Sequence, residues 1–199
     1  MERRFNSVAD GGQPFFVGGF GNSILFGQRI SGSCDVTMKY DLKLPRGAVE
    51  SVADEVRYFG SVSLETGGFL LAPAGEHTVS MVAVTGITGI VRRHNLFEIS
   101  AVAIDRLFTF ADDKGLWSPA QFHSHQCDGW LSLTDQQNGF RVEGFTSIVI
   151  PNFSSPSREV GAWGWWTFEV DEWVARRPMT LCDGNTQCLR FDEEGVRNA

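Results

Sequence analysis

The sequence is poor in several features, and each scarcity argues against a class of protein. Its longest apolar runs, such as 69–72 and 147–150, are strand-sized, far from the roughly 20 residues of a membrane-spanning helix. Lysine and arginine number 17 against 24 acidic residues, and the formal net charge of −7 argues against a general nucleic-acid binder. We therefore expect neither a membrane nor a nucleic acid among the partners.

Cysteine is also scarce, and the four residues show no Cys-x-x-Cys spacing: Cys34, Cys127, Cys182 and Cys188. A chain of 199 residues can bury a sufficient core without disulfides. The N-terminal residues show no continuous apolar segment typical of a signal peptide. We expect free thiols and a cytoplasmic location, with a Cys182–Cys188 bridge as the alternative.

Aromatic residues, in contrast, are abundant, and 16 Phe with 6 Trp indicate a folded chain. Apolar periodicity predicts helices at 49–59, 99–110 and 132–143, and strands at 35–44, 61–72, 79–85, 120–125, 145–151 and 162–170. Intermixed helices and strands predict one α/β or α+β domain around a single sheet. We place this domain at 35–175, between a Gly/Phe-rich N-terminal extension at 1–34 and a C-terminal tail at 176–199.

Two histidines and an aspartate are spaced as metal ligands. His123 and His125 lie two apart in a predicted strand, so both imidazoles face one side and suit zinc. Asp135 follows in a Ser-x-x-Asp sequence that begins at Ser132, at the start of a predicted helix. Three such ligands leave a fourth tetrahedral position for water, as in catalytic zinc sites. The alternatives are two ordinary strand histidines and a helix capping box formed by Ser132 and Asp135.

Glu65 is a candidate base for such a site. It lies in an otherwise apolar predicted strand, just before Gly67 and Gly68. Paired glycines in a strand indicate that another backbone or a ligand approaches closely. A carboxylate beside the open position can take a proton from water and transfer it to a leaving amine. An outward-facing strand carboxylate is the alternative.

Together these segments resemble the JAB/MPN domain with its JAMM zinc-metallopeptidase motif, Glu…His-x-His…Ser-x-x-Asp. The resemblance covers about 35–173, and includes the helix before Glu65, the buried strand at 145–151 and the Trp-rich strand after it. It implies a mixed central sheet flanked by helices, with layers like those of cytidine deaminases. The loop between His125 and Ser132 is one residue shorter than in the common eukaryotic pattern.

The resemblance also implies a role for each motif residue. These roles are zinc ligand for His123, His125 and Asp135, general acid/base for Glu65, and stabilisation of the tetrahedral oxyanion for Ser132. The cofactor implied is Zn²⁺.

Five further residues near these segments have less specific interpretations. Trp130 would line a groove for an extended peptide, or would be a packed loop anchor. Cys127 and Asp128 in the same loop are rival metal contacts. His77 and His94 stand alone in the sequence and are expected to be ordinary surface residues.

The function implied by the resemblance is a zinc-dependent peptidase or isopeptidase that cleaves after the C-terminal glycine of a ubiquitin-like protein. The chain looks most similar to bacterial members, which are often encoded beside E1-like and E2-like proteins, some in antiphage defence operons. The expected partners are therefore a ubiquitin-like modifier, its conjugates and those E1-like and E2-like proteins. A non-catalytic MPN scaffold and a two-His, one-carboxylate iron oxygenase or cupin are the alternatives.

Overall fold

The computed structural model describes residues 41–177 and 179–199 of the chain. The predicted extension at 1–34, Cys34 and most of the strand predicted at 35–44 lie outside these residues. The helices are α1 (Arg46–Gly60), α2 (Ala101–Asp113) and α3 (Leu133–Asn138), and a short 3-10 helix spans Val160–Ala162. The strands are β1 (Leu42–Pro45), β2 (Gly67–Pro73), β3 (Met81–Thr85), β4 (Ile90–Arg93), β5 (Leu96–Ile99), β6 (Leu116–Ser124), β7 (Thr146–Ile150), β8 (Gly164–Glu169), β9 (Glu172–Ala175), β10 (Met179–Cys182), β11 (Gln187–Asp192) and β12 (Gly195–Asn198).

Eight of these strands form one mixed sheet in the order β12-β11-β3-β2-β6-β7-β8-β9. The pairs β11–β3 and β6–β7 are parallel, and the other neighbours are antiparallel. β1 pairs with β10, and β4 forms a hairpin with β5. The predicted fold class, an α+β domain with a mixed central sheet flanked by helices, is confirmed.

Helices α1 and α2 cover opposite faces of this sheet. Residues alternate between the faces along β2, as expected for a strand buried on both sides. Leu70 packs in the cluster that contains Val52 of α1, and Phe69 packs in the cluster that contains Leu107 of α2. The sheet is therefore the middle of three layers, with one apolar core on each of its faces.

The glycine pair at the start of β2 allows the sheet to pack closely at one end. A side chain on Gly67 would collide with the carbonyl oxygen of Phe122, and one on Gly68 with that of Ala83. The expectation that a backbone approaches this pair is confirmed. Because Gly67 is paired with His123 across the antiparallel β2–β6 ladder, the residues just before β2 lie beside the C-terminal end of β6.

The strand predicted at 61–72 begins only at Gly67. Residues 61–63 form a turn after α1, and Ser63 adopts a left-handed backbone conformation with φ 60°. Glu65 therefore precedes the strand and does not lie within it, which corrects the prediction.

The helix predicted at 132–143 is also shorter, since α3 ends at Asn138. Gly139 is extended, and the chain then turns inward so that the ring of Phe140 packs edge-on against Phe69 and Phe108. Apolar packing of Phe140 therefore overrides the helical pattern, as tertiary contacts commonly do.

The segment predicted as a C-terminal tail contributes to the sheet. β11 lies between β12 and β3, and its Phe191 is fully buried. Arg197 of β12 also forms an ion pair of 2.7 Å with the buried Asp192. Residues 187–198 are thus an integral edge of the fold and not a tail.

Two smaller expectations concern cysteines and membranes. Cys127, Cys182 and Cys188 are free, so the predicted free thiols are confirmed for these three and the Cys182–Cys188 bridge is absent. No helix within 41–177 and 179–199 has both the length and the apolar character needed to cross a membrane.

Candidate metal centre

His123 and His125 converge at the C-terminal end of β6. The backbone N–H of His125 donates to the carbonyl oxygen of Ile150 (2.9 Å), which extends the pairing with β7 and fixes the second histidine. The two Nε2 atoms lie 3.2 Å apart. His123 is buried and His125 is partly exposed, so the pair forms one wall of a site that solvent can reach.

Asp135 enters the same site from the first turn of α3. Ser132 is the N-cap: its Oγ accepts from the backbone N–H of Asp135 (3.1 Å), and Asp135 Oδ2 accepts from the backbone N–H of Ser132 (2.9 Å). This is the reciprocal capping box that the sequence allowed. The same Oδ2 atom lies 3.4 Å from His123 Nε2 and 3.3 Å from His125 Nε2. The capping box and the three-residue cluster are therefore compatible, and the cap fixes the position of the carboxylate.

The three facing atoms form a triangle with edges of 3.2, 3.3 and 3.4 Å. Ligand atoms about 2.0–2.1 Å from a tetrahedral zinc ion lie about 3.3–3.4 Å apart, which matches these edges. Charge-assisted hydrogen bonds are shorter, about 2.7–2.9 Å. The separations therefore suit three ligands of one cation better than an imidazole–carboxylate hydrogen-bonded pair. The structure thus brings together His123, His125 and Asp135 as a group able to hold a metal ion.

The charges of this group are consistent with cation binding. Burial alone would raise the pKa of Asp135, but its contacts with His123, His125 and Ser132 outweigh burial and hold the pKa far below its usual range. Burial lowers the pKa of His125, yet the neighbouring Asp135 carboxylate, with lesser contributions from other acids, raises it overall. Asp135 is therefore ionised at neutral pH, and a metal ion would compete with protons for the imidazole nitrogens.

Glu65 lies beside this group, just ahead of β2. Its backbone N–H donates to the carbonyl oxygen of Arg93 in β4 (2.9 Å), and its side chain is buried. Burial raises the pKa of Glu65 to about 7; the charges of His125 and His94 lower it, and that of Asp135 raises it. A carboxylate with a pKa near neutrality can accept and release protons at physiological pH.

The loop between β6 and α3 contains Cys127 and Asp128, the two rival metal contacts. Asp128 Oδ1 lies 3.7 Å from Nδ1 of His125, the ring nitrogen that faces away from the triangle. That separation is longer than a hydrogen bond, and it lies on the side of the ring away from the triangle, so Asp128 is not placed as a further ligand. Cys127 is exposed, and neither residue belongs to the ligand group found among the described residues.

Trp130 lies at one side of a groove of about 450 Å³ next to this loop. Its side chain is 68% exposed, which disfavours a packed loop anchor. The ring centroid lies 5.6 Å from that of Trp166, whose indole N–H donates to the Gly129 carbonyl oxygen (3.0 Å). None of the three ligand residues lines this groove. Contact between Trp130 and a substrate remains a prediction.

The β4–β5 hairpin, which the sequence pattern did not predict, brings a further residue to the site. His94 at its turn is exposed, as expected, but its Nε2 lies 2.7 Å from Gln126 Oε1 in the loop after β6. The sequence signal for this hairpin is weak, because two short apolar pairs at 90–91 and 96–97 flank a turn without glycine. His94 is therefore a neighbour of the strand end that carries His123 and His125, and its charge affects Glu65.

The capping box gives a direct stability prediction. Ser132→Ala should lower the free energy of unfolding of the metal-free protein by about 1 kcal/mol, because the Asp135 N–H loses its acceptor. Urea denaturation followed by circular dichroism measures this change. Ser132→Thr keeps the hydroxyl and should recover most of the loss. An equal loss in both variants would show that the hydroxyl is not the cause.

Comparisons with known proteins add information on the fold. No family model matches the chain, and no curated protein matches it. The chain is similar to the solution structure of protein DSY2949 from Desulfitobacterium hafniense, with 14% identity and a TM-score of 0.56 over 72% of this chain and 94% of that one. A JAB1/MPN domain protein from Archaeoglobus fulgidus, AF2198, gives 12% identity and a TM-score of 0.42 over 71% and 97% of the two chains. A Salinibacter ruber protein gives 21% identity and a TM-score of 0.46 over 73% and 94%. At such identities the likeness to DSY2949 shows a shared fold alone.

Proposed function

We propose that the chain is a JAMM-type zinc metallopeptidase of the JAB/MPN family, which cleaves after the C-terminal glycine of a ubiquitin-like protein. The observation that carries this proposal is the triangle of His123 Nε2, His125 Nε2 and Asp135 Oδ2. Structural zinc sites are closed by a fourth protein ligand, whereas this group supplies three, as catalytic sites do. The buried Glu65 carboxyl beside it supplies the second element that such hydrolysis requires.

Zinc held by these three atoms would polarise the scissile carbonyl and lower the pKa of a water molecule. Asp135 brings a carboxylate that is ionised at neutral pH. Asp128, facing His125 Nδ1, favours the tautomer in which that nitrogen carries the proton and Nε2 offers its lone pair. The residues present therefore fit zinc in both charge and spacing.

Glu65 performs the proton transfers in this scheme. Its carboxylate accepts a proton as the water oxygen bonds to the scissile carbonyl carbon, and it returns that proton to the leaving nitrogen as the carbon–nitrogen bond breaks. A pKa of about 7 suits both steps, and a nearby metal charge would lower that value. The base and the acid are thus the same side chain.

Ser132 supplies a hydroxyl for the developing oxyanion. Its Oγ already accepts the N-cap hydrogen bond from Asp135, and that bond uses a lone pair of the oxygen and not its proton. The Ser132 O–H is left to donate to the negative oxygen of the tetrahedral state. The capping role and the catalytic role are therefore compatible.

The substrate class rests on the motif resemblance and on the surface next to the loop. The groove beside Trp130 offers an apolar wall with Arg176 and Arg177 on its lining, where part of an extended chain can bind. A ubiquitin-like modifier, its conjugates, and E1-like and E2-like proteins are the proposed partners. Antiphage defence in a bacterial cytoplasm is the proposed setting.

The structure bears on one of the rival functions. Cupins are β-barrels, whereas the described residues form an open sheet covered by helices, and Asp135 comes from a helix. A cupin is therefore disfavoured. A non-catalytic scaffold does not need a buried Glu65 beside three converging ligands. Activity measurements distinguish such a scaffold from a peptidase.

Metal analysis joined to a cleavage assay tests the proposed function. Protein purified without added metal is analysed by mass spectrometry for zinc and iron. It is then incubated with a panel of ubiquitin-like proteins, each extended by a peptide after its terminal glycine. We expect about one zinc per chain, cleavage at that glycine, loss of cleavage with a chelator and recovery with added zinc.

The other outcomes select the alternatives. Zinc at that stoichiometry without cleavage of any panel member would contradict the peptidase and favour the scaffold. Absence of bound metal would remove the central claim. Iron with oxygen-dependent turnover would favour the oxygenase.

A further inference from the structure

A second polar cluster lies behind the segment that carries Glu65, and its centre is the guanidinium of Arg92 in β4. Arg92 Nη1 donates to the Gly86 carbonyl oxygen (2.8 Å), and Nη2 donates to the carbonyl oxygen and Oγ1 of Thr85 (2.9 and 2.7 Å). Its Nε donates to Thr66 Oγ1 (3.3 Å), and its carbon lies 4.0 Å from the centroid of the Phe59 ring. The planar fork is therefore fixed in one orientation by several partners.

Arg92 and its neighbours in the hairpin hold three consecutive residues, Glu65 to Gly67. Thr66 is held directly by Arg92 Nε. Gly67 is held through Thr85, whose hydroxyl donates to the Gly67 carbonyl oxygen (2.9 Å) and accepts from Arg92. Glu65 donates its backbone N–H to the carbonyl oxygen of Arg93, the neighbour of Arg92. The hairpin thus fixes the backbone on both sides of the Glu65 side chain.

The same segment is joined to the metal-binding strand. The Thr66 N–H donates to Ser124 Oγ (3.0 Å), and the Ser124 N–H donates to the Thr66 carbonyl oxygen (2.9 Å). Ser124 lies between His123 and His125 in the chain. Thr66 consequently contacts Arg92 on one side and the backbone of the histidine pair on the other.

The electrostatics of Arg92 favour a role in positioning over a role in stability. Its contacts above are to neutral oxygens, and its charge is only partly compensated by the buried Glu55, which pairs with Arg190 (3.5 Å). Burial lowers the pKa of Arg92 to about 10, so it remains a cation at neutral pH. Partly buried charges are often less stabilising than apolar side chains of equal volume, but they fix one arrangement.

We infer that Arg92 is a positioning residue that fixes the Glu65–Gly67 backbone against the His123–His125 strand, and thereby aims the Glu65 carboxylate at the metal position. This inference rests on the proposed function for its catalytic consequence. The geometric part, that Arg92 orders the backbone of residues 65–67, depends only on the hydrogen bonds described above. Arg92 touches neither substrate nor metal in this scheme, and it acts through Glu65.

Amide hydrogen exchange in the metal-free protein tests the geometric part. Arg92→Met removes the donors and keeps an unbranched side chain. Thr66→Val has little change in shape and removes the hydroxyl that accepts from Arg92 and also interacts with the Glu55 carboxyl. Arg190→Met is the matched control, since Arg190 donates to the Thr85 carbonyl oxygen and pairs with Glu55 but makes no hydrogen bond to residues 65–67. We expect exchange of the Glu65 and Thr66 amides to be about tenfold faster in the first two variants and unchanged in the control.

Kinetics with the zinc-loaded protein tests the catalytic part. We expect Arg92→Met to lower kcat about 100-fold, because displacement of a catalytic group by an ångström can cost this much, with KM and zinc content unchanged. Arg92→Lys retains the charge and one donor and should recover part of kcat. If Arg92 had a purely structural role, its loss would change KM and zinc content together with kcat.

The outcomes are separable from those of the proposed function. Unchanged exchange in Arg92→Met and Thr66→Val overturns the inference, and so does an equal effect in Arg190→Met. If the wild-type protein cleaves nothing, the proposed function fails, while the exchange data still decide whether Arg92 orders this segment. If Arg92→Met fails to fold, amide exchange and kinetics of Thr66→Val test the inference in its place.

Discussion

His123→Ala is expected to abolish stoichiometric zinc binding and with it all peptidase activity. His123 is the most buried of the three ligands, and its Nε2 forms two edges of the ligand triangle. Removing a ligand should weaken zinc affinity by more than about 100-fold, since even loss of a residue behind a ligand costs about 10–100-fold. Metal content after gel filtration and competition with a chromophoric chelator measure this change.

The control for this variant is another histidine of the same chain. His77 precedes β3 and does not belong to the ligand group, so His77→Ala should retain both zinc and activity. Circular dichroism of both variants establishes that they are folded. Stoichiometric zinc in His123→Ala would place the metal elsewhere and contradict the assigned centre.

Glu65→Gln is expected to separate metal binding from catalysis. The amide has nearly the shape of the carboxyl and should leave zinc content unchanged, but it cannot accept the proton from water. Loss of a general acid/base typically costs about 10²–10⁴-fold, so kcat should fall by about that factor. Glu98→Gln, an exposed change on the nearby hairpin, is the matched control and should remain fully active. Substantial activity in Glu65→Gln would assign the base to another group.

The same variant has an expected effect on stability in the absence of metal. The pKa of Glu65 is about 7 in the folded protein against an ordinary value of 4.5, so the folded state binds the extra proton between these values. The contribution of Glu65 to the free energy of unfolding of the wild type should therefore fall as the pH rises from about 4.5 to about 7, and stay level above that. Glu65→Gln lacks this titration and should be more stable than the wild type at pH 8, by about 2–3 kcal/mol, with no advantage near pH 4. Urea denaturation across this range measures the difference, and parallel stability curves for both proteins would contradict the assignment.

The parts of the site that sequence predicts well are those encoded in short segments. The two-residue spacing of His123 and His125 requires only that the segment be a strand. The Ser-x-x-Asp pattern predicts a helix start, and α3 begins immediately after Ser132. The glycine pair at 67–68 predicts close backbone packing, which the carbonyl oxygens of Phe122 and Ala83 provide. In each case the local chemistry determines the local geometry.

The parts that sequence predicts poorly depend on partners distant in the chain. β11 has a weak strand pattern and is stabilised by its parallel pairing with β3, about a hundred residues earlier. Phe140 leaves the helical pattern because the rings of Phe69 and Phe108 are available to it only in the folded sheet. The position of Glu65 depends likewise on the β4–β5 hairpin, whose anchoring by Arg92 has no local sequence signature.

The shortness of α3 has a thermodynamic consequence for any zinc titration. This helix has six residues and no buried side chain, and isolated helices of that length are unstable in water. Asp135 Oδ2 closes the capping box and also forms two edges of the ligand triangle, so order in the helix and occupancy of the site are linked. An apparent dissociation constant for zinc thus contains the free energy of ordering this turn in addition to that of coordination. Substitutions in α3 that never touch the metal should change the apparent constant through helix propensity alone.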